Sequence, residues 1–113
     1  MQTERRKRER DCWDESLSRW LESMARDHQL GGLVLAEEDG FLVASSVPRS
    51  RAEKIAVQAV TQGRSGVPSS EQPMDVRVMM LDRRPLFLCA LGDDRLSRPS
   101  QDAVEDGIRR ILA

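Results

Sequence analysis

Residues 31–46 have the sequence GGLVLAEEDGFLVASS, which predicts a β-hairpin. Two apolar runs flank Asp39 and Gly40, and an Asp-Gly pair is among the strongest short hairpin signals. A two-residue type I′ turn needs positive φ at both central positions, which glycine adopts freely and aspartate tolerates. If these two residues form the whole loop, the following pairs lie opposite one another: Glu38 and Phe41, Ala36 and Val43, Val34 and Ser45.

Both faces of this predicted hairpin are apolar near its open end. One face carries Val34, Ala36, Phe41 and Val43, and the other carries Leu33, Leu35, Leu42 and Ala44. A sheet with one face in water would alternate apolar and polar residues instead. We therefore expect the rest of the chain to cover the hairpin on both sides.

The composition indicates a single charge-rich globular domain. The chain has 113 residues, which suits one domain, and 39% hydrophobic residues, which is too apolar for a disordered chain. Its net charge of −1 implies no overall field for nucleic acid, so we predict no nucleic-acid partner. No apolar run approaches the roughly 20 residues of a membrane span, so we predict no membrane insertion. Cys12 and Cys89 are expected to be reduced thiols of a cytoplasmic protein, with a disulfide as the alternative.

Residues 1–10, MQTERRKRER, are predicted to be a charged arm outside the domain. They have no large apolar side chain after Met1 and cannot pack against a core. The arm is either disordered or a solvated extension of the next helix, or else a basic segment that touches nucleic acid, anionic lipid or an acidic partner. Glu4 and Glu9 dilute its positive charge and favour the first interpretation. Residues 11–113 are then the single domain.

Three amphipathic helices are predicted. Helix 1, at residues 11–28, has an apolar stripe of Trp13, Leu17, Trp20, Leu21 and Met24, and Gly31 and Gly32 follow its end. Helix 2, at residues 51–62, begins with a capping box between Ser50 and Glu53. Its stripe is mostly small: Ala52, Ile55, Ala56, Ala59 and Val60. Helix 3 is expected at residues 101–112.

Two further strands are predicted between helices 2 and 3, at Met74–Leu81 and Leu86–Leu91, after a loop at residues 63–73. The order is thus helix, strand, strand, helix, strand, strand, helix. This order cannot form a doubly wound parallel sheet. It predicts an α+β fold with an antiparallel sheet covered by helices on both faces.

The sequence offers no catalytic constellation. His28 is the single histidine, there is no tyrosine, and Cys12, Cys89 and His28 lack the spacing of zinc ligands. We therefore predict no catalytic residues, no metal and no cofactor. A binding module is favoured over an enzyme.

Taken together, these features resemble the Roadblock/dynein light chain family over about residues 12–112. The resemblance rests on the order of the elements and on the strand that starts at Gly32, the pair Asp39-Gly40 and the apolar strand that ends at Ser45. It implies an antiparallel sheet with helix 2 on one face and helices 1 and 3 on the other. The family has three strands between helices 2 and 3, whereas two are evident here. The sheet is therefore expected to have four strands, or five if residues 67–71 or 93–98 add one.

The resemblance also implies a function. Family members are non-enzymatic, homodimerise by pairing their sheets and second helices, and bind or regulate Ras-like GTPases. The implied function is a non-catalytic scaffold of bacterial signalling or polarity control, like the Roadblock partners of the polarity GTPase of gliding bacteria. Its expected partners are a second copy and a small Ras-like GTPase or another Roadblock protein. The alternative is a small-ligand sensor of the PAS or GAF type.

Two sets of surface residues follow from this interpretation. Residues expected near the two-fold axis of the homodimer are Ile55, Ala59, Val76 and Val78. Residues expected to contact the partner protein are Arg51, Lys54, Gln58 and Gln62.

Overall fold

A computed structural model describes residues 14–67, 73–92 and 97–112. The predictions for the arm at residues 1–10, for Cys12 and Trp13, and for most of a possible fifth strand lie outside these residues. The described elements are α1 (Glu15–Asp27), β1 (Gly32–Glu37), β2 (Leu42–Ser45), α2 (Arg49–Ser65), β3 (Met74–Leu81), β4 (Arg84–Leu91) and α3 (Arg98–Leu112).

The predicted α+β fold is confirmed. The four strands form one antiparallel sheet in the order β2-β1-β4-β3. One apolar cluster joins α2 to a face of the sheet, and a second cluster joins α1 and α3 to the opposite face. The two apolar faces of the first hairpin are therefore covered from both sides, as the sequence predicted.

The loop of the first hairpin differs from the prediction. The Gly40 N–H donates to the Glu37 carbonyl at 2.8 Å, and the Glu37 N–H donates to the Phe41 carbonyl at 2.9 Å. Gly40 has φ +87°, whereas Asp39 is not among the residues with positive φ. This is the three-residue hairpin connection, a turn followed by a left-handed glycine, so the predicted two-residue type I′ turn is wrong.

The register of β2 changes as a consequence. Val34 lies opposite Ser45 as predicted, but Ala36 lies opposite Leu42 and Val43 is the extra residue of a bulge. Leu42 consequently packs in the α2 cluster and Val43 in the α1–α3 cluster. Both assignments reverse the predicted ones, because a shift of one residue exchanges the faces of a strand.

The start of α1 is later than predicted. Asp14 has extended backbone angles, φ −111° and ψ 111°, and its carboxylate accepts a hydrogen bond from the Leu17 N–H at 2.8 Å. Asp14 is therefore the N-cap of α1, which begins at Glu15.

The predicted capping box of α2 is also wrong. The helix begins at Arg49 after Pro48, so Ser50 lies within its first turn and no side chain caps the end. It continues three residues beyond the predicted end and stops at Gly66, which has φ +73°. The third helix begins at Arg98, three residues earlier than predicted.

The two-residue type I′ turn that was predicted for the first hairpin is found between β3 and β4. Leu81 lies opposite Arg84, and the residues between them, Asp82 and Arg83, have φ +50° and +67°. Positive φ at both central positions is the pattern of a type I′ turn. The sequence did not indicate it, because Asp-Arg lacks the glycine that usually marks this turn.

Candidate protein-interaction surface

The edge of the sheet at β2 is closed by the first helix. The Asp14 N–H donates to the Val43 carbonyl at 3.0 Å, and the Ser45 N–H donates to the Ser18 hydroxyl at 3.2 Å. Ser18 and Ser45 are buried, with 7% and 2% of their surfaces exposed. Outward-facing groups of β2 are thus paired with α1, which blocks the addition of another strand.

The opposite edge, at β3, is open among the described residues, which pair β3 with β4 alone. Leu81 and Arg84 close a two-residue hairpin and so form a hydrogen-bonded pair, after which hydrogen-bonded and other pairs alternate. The backbone groups that point away from β4 are consequently those of Met74, Val76, Val78 and Met80. One of them is occupied, because the Gln62 side-chain amide donates to the Met74 carbonyl at 3.2 Å.

Apolar side chains are exposed along this edge. Val78 and Met80 are 50% and 54% exposed, although Met74 and Val76, on the same side of the strand, pack against the α2 cluster. The second helix therefore covers one half of β3 and leaves the other half open. We call Val78 and Met80 the edge patch.

The other face of β3 carries an ion pair. The Arg77 Nε lies 3.3 Å from the Asp75 carboxylate, and these side chains are 40% and 18% exposed. A single pair at this exposure contributes little to stability. Its position beside an open edge makes both charges accessible to a second strand.

The structure separates the four residues predicted near a dimer axis. Val76 and Val78 lie on the open edge, half-buried and exposed respectively. Ile55 and Ala59 face the sheet and are 3% and 0% exposed, so they are covered by their own chain.

The predicted partner-binding residues all lie on α2. Arg51 and Lys54 are exposed, and Gln58 and Gln62 are half-buried. Spacings of four, seven and eleven residues place Arg51, Gln58 and Gln62 on one side of the helix. The Gln62 contact with Met74 shows that this side faces β3.

The outer surface of α2 is basic. Its charged residues are Arg49, Arg51, Glu53, Lys54 and Arg64, in a chain whose net charge is −1. Glu53 pairs with Arg49 at 3.5 Å, and the Arg64 guanidinium donates to the Glu38 carbonyl at 2.8 Å. Val57 is 57% exposed on this surface. The helix thus presents positive charge around an apolar residue, which complements an acidic surface with an apolar centre.

The buried thiol is not suited to nucleophilic chemistry. Cys89 is fully buried and donates to the Met74 sulfur at 3.5 Å. Burial, together with the nearby Asp75 carboxylate, raises the pKa of Cys89 to about 12. The thiol is therefore protonated at neutral pH, and the thiolate is the reactive form.

A contact between His28 and Ser100 was not predicted, because 72 residues separate them in the sequence. The His28 Nδ1 lies 3.1 Å from the Ser100 hydroxyl, which also accepts from the Ser97 hydroxyl at 2.8 Å. The contact joins the end of α1 to the start of α3. A hydroxyl beside an imidazole is not by itself a catalytic site, which also needs an orienting group and an oxyanion site.

Within residues 14–67, 73–92 and 97–112, no group of three or more His, Cys, Asp or Glu side chains could hold a metal ion. Across the same residues, none of the helices is both long enough and apolar enough to span a membrane.

Comparison with known proteins supports the fold and leaves the sequence family open. No protein-family model matches the sequence, and no curated protein matches it significantly. The structure is similar to that of MglB from Myxococcus xanthus, with a TM-score of 0.56 and 13% sequence identity. The match covers 88% of this chain and 92% of that chain. The predicted Roadblock-like fold is thereby confirmed.

Proposed function

We propose that this chain is a non-catalytic, homodimeric regulatory module of the Roadblock type. In this proposal it binds a small Ras-like GTPase or another Roadblock protein and acts in bacterial signalling or polarity control in the cytoplasm. The observation that carries the proposal is the asymmetry of the sheet, which α1 closes at β2 and which, in the part of the chain that the structure describes, is open at β3 beneath a basic α2. The fold shared with MglB supports it.

The homodimer is supported by the exposed edge of β3. The backbone groups of β3 that point away from β4, beside half-exposed Val78 and Met80, can pair with strands of other chains and cause aggregation unless they are covered. Pairing with the same strand of a second copy satisfies both edges across a two-fold axis. We expect light scattering at micromolar concentration to give the mass of a dimer, and a monomer mass would contradict this part of the proposal.

The partner protein is expected on the outer surface of α2. In a dimer paired through β3, the sides of the two α2 helices that carry Arg51, Gln58 and Gln62 face each other over the continuous sheet. The basic residues of the two α2 helices, arranged around exposed Val57, favour a partner surface that carries carboxylates.

The identity of the partner can be tested directly. The full chain, immobilised and shown to be folded by circular dichroism, should retain a GTPase or another Roadblock protein from the source cell, identified by mass spectrometry. If a folded bait recovers neither, the proposed partner class is wrong. Hydrolysis of GTP by the purified chain alone would contradict the non-catalytic assignment.

Charge reversal of Lys54 tests the binding surface. We expect Lys54→Glu to reduce the association rate with the captured partner about tenfold at low salt, because charges at the rim of an interface mainly steer encounter. Arg110→Glu is the matched control, since Arg110 is exposed on α3, on the other face of the sheet. Rates from surface plasmon resonance that fall equally for both variants would place the partner away from α2.

A further inference from the structure

The charges on β3 specify how two copies of this strand can pair. This inference rests on the proposed homodimer and deepens it, because it concerns the register of the same edge. The outward backbone groups belong to Met74, Val76, Val78 and Met80, so these residues must form the hydrogen-bonded pairs with a second strand. Asp75 and Arg77 then stand at the closer positions between those pairs, where Cα atoms are about 4.5 Å apart.

The possible registers across a two-fold axis differ in the residues that lie opposite Asp75 and Arg77. An axis at Asp75 places this carboxylate opposite its own copy, and an axis at Arg77 does the same for the guanidinium. Like charges directly opposite one another are destabilising. An axis at Val78 places Arg77 opposite Met79 and Asp75 opposite Leu81, so both charges face apolar side chains.

We propose that two copies pair antiparallel through β3 with Val76 at the two-fold axis. In this register the Asp75 of each copy lies opposite the Arg77 of the other. The ion pair that already exists within each chain, at 3.3 Å, becomes part of a cluster of four alternating charges. Charge complementarity therefore favours this register over axes at Asp75, Arg77 or Val78.

The opposite side of the strand is also complementary in this register. Val76 meets its own copy, and Val78 of each chain meets Met74 of the other. Val78 is 50% exposed in the single chain and would be covered. Three hydrogen-bonded pairs form, although the Gln62 amide must release the Met74 carbonyl for all of them to be complete.

Exchange of the two charges tests the pairing. We expect Asp75→Arg and Arg77→Asp each to weaken self-association at least tenfold, because each single variant places like charges opposite one another. An equimolar mixture of the two should form heterodimers, and the double variant D75R/R77D should form homodimers, because both restore opposite pairs. Unchanged self-association of both single variants would contradict this register.

Cysteine cross-linking tests the register independently of charge. In a background of Cys12→Ser and Cys89→Ala, Val76→Cys should cross-link to its own copy under mild oxidation. The two Cα atoms would be about 5.5 Å apart, within the range for disulfides. Val78→Cys is the control and should not cross-link to itself, since the two positions would be offset by roughly 13 Å along the strand. A mixture of Val78→Cys and Met74→Cys should cross-link.

The outcomes separate the register from the homodimer. Self-cross-linking of Val78→Cys, or a dimer mass without any cross-link at Val76, overturns the register and leaves the homodimer standing. A folded protein with the mass of a monomer overturns both.

Discussion

Arg83 is held in a conformation that its side chain disfavours. It has φ +67° at the second central position of the β3–β4 turn, where the left-handed region costs a residue with a Cβ about 1–2 kcal/mol. Glycine is the usual residue at this position of a type I′ turn. The turn is therefore imposed by the pairing of β3 with β4, which overrides the local preference.

Arg83→Gly should consequently stabilise the protein. We expect a gain of about 0.5–1 kcal/mol in the free energy of unfolding, the relief of strain less the added entropy of the unfolded chain. Arg84→Gly is the matched control, since it removes the same charge from the first residue of β4 and should lower stability. Urea denaturation of both variants decides the matter, and a loss of stability in Arg83→Gly would mean that the arginine side chain itself stabilises the turn.

The glycine of the first hairpin shows the limit of local sequence signals. Gly40 was expected to need positive φ, and it has φ +87°. An Asp-Gly pair fits a two-residue turn and also the end of a three-residue turn. The choice between them depends on the register of β1 against β2, and hence on contacts that neither residue makes.

The first helix has a second role, which its apolar stripe does not reveal. Besides covering the sheet, α1 supplies the Asp14 N–H and the Ser18 hydroxyl that close the outer edge of β2. The sequence places Ser18 among polar residues that would ordinarily face solvent. Its function became evident only from the distance to Ser45, which is 27 residues away in the chain.

Ser18→Ala tests this role. The substitution leaves the buried Ser45 N–H without its acceptor, and we expect a loss of about 1–3 kcal/mol in the free energy of unfolding. Ser16→Ala is the control, because Ser16 is exposed on the same helix and should change stability by less than about 0.5 kcal/mol. Equal effects of the two substitutions in chemical denaturation would show that the hydrogen bond at the β2 edge contributes nothing.

The ends of α2 and α3 were predicted less well than their apolar stripes. Ser50 and Glu53 have the spacing of a capping box, but Pro48 already has a backbone suited to precede a helix, and α2 begins directly after it. The stripe itself was predicted correctly, and each of its residues is buried. Burial against the sheet determines which face of α2 points inward, whereas several local signals compete for its ends.

For the whole molecule, the two apolar faces of the first hairpin were sufficient to predict cover on both sides of the sheet, and the family resemblance implied which helix lies on which side, but neither predicted the surface. A hairpin apolar on both faces required cover on both sides, and α2 lies on one side with α1 and α3 on the other. Which edge of the sheet stays open depends on contacts far apart in the sequence, so it could not be predicted. The position of Ile55 and Ala59 near a dimer axis stays a prediction, and in the single chain both are buried against the sheet.

In the layer formed by α1 and α3, the Trp20 side chain of α1 packs closely against Gly107 of α3. A Cβ at Gly107 would lie 2.2–2.3 Å from three atoms of the Trp20 indole, whose N–H donates to the Val104 carbonyl at 3.4 Å. Gly107 is thus the position at which the two helices come close enough for the indole to reach the backbone of α3. The helix tolerates this glycine, which is about 1 kcal/mol less favourable than alanine in a helix interior, because it permits the packing.

Gly107→Ala should therefore destabilise the protein despite its better helix propensity. We expect a loss of about 1–3 kcal/mol from overpacking, and a red-shifted Trp20 emission as the indole moves toward solvent. The emission is measured in a Trp13→Phe background so that it reports on Trp20 alone. Asp106→Ala, at an exposed neighbouring position, also raises helix propensity, by a smaller amount and without the clash, and should leave the emission unchanged. Unchanged emission together with higher stability in Gly107→Ala would show that α1 and α3 are held apart, and that the close packing of this layer is not what stabilises it.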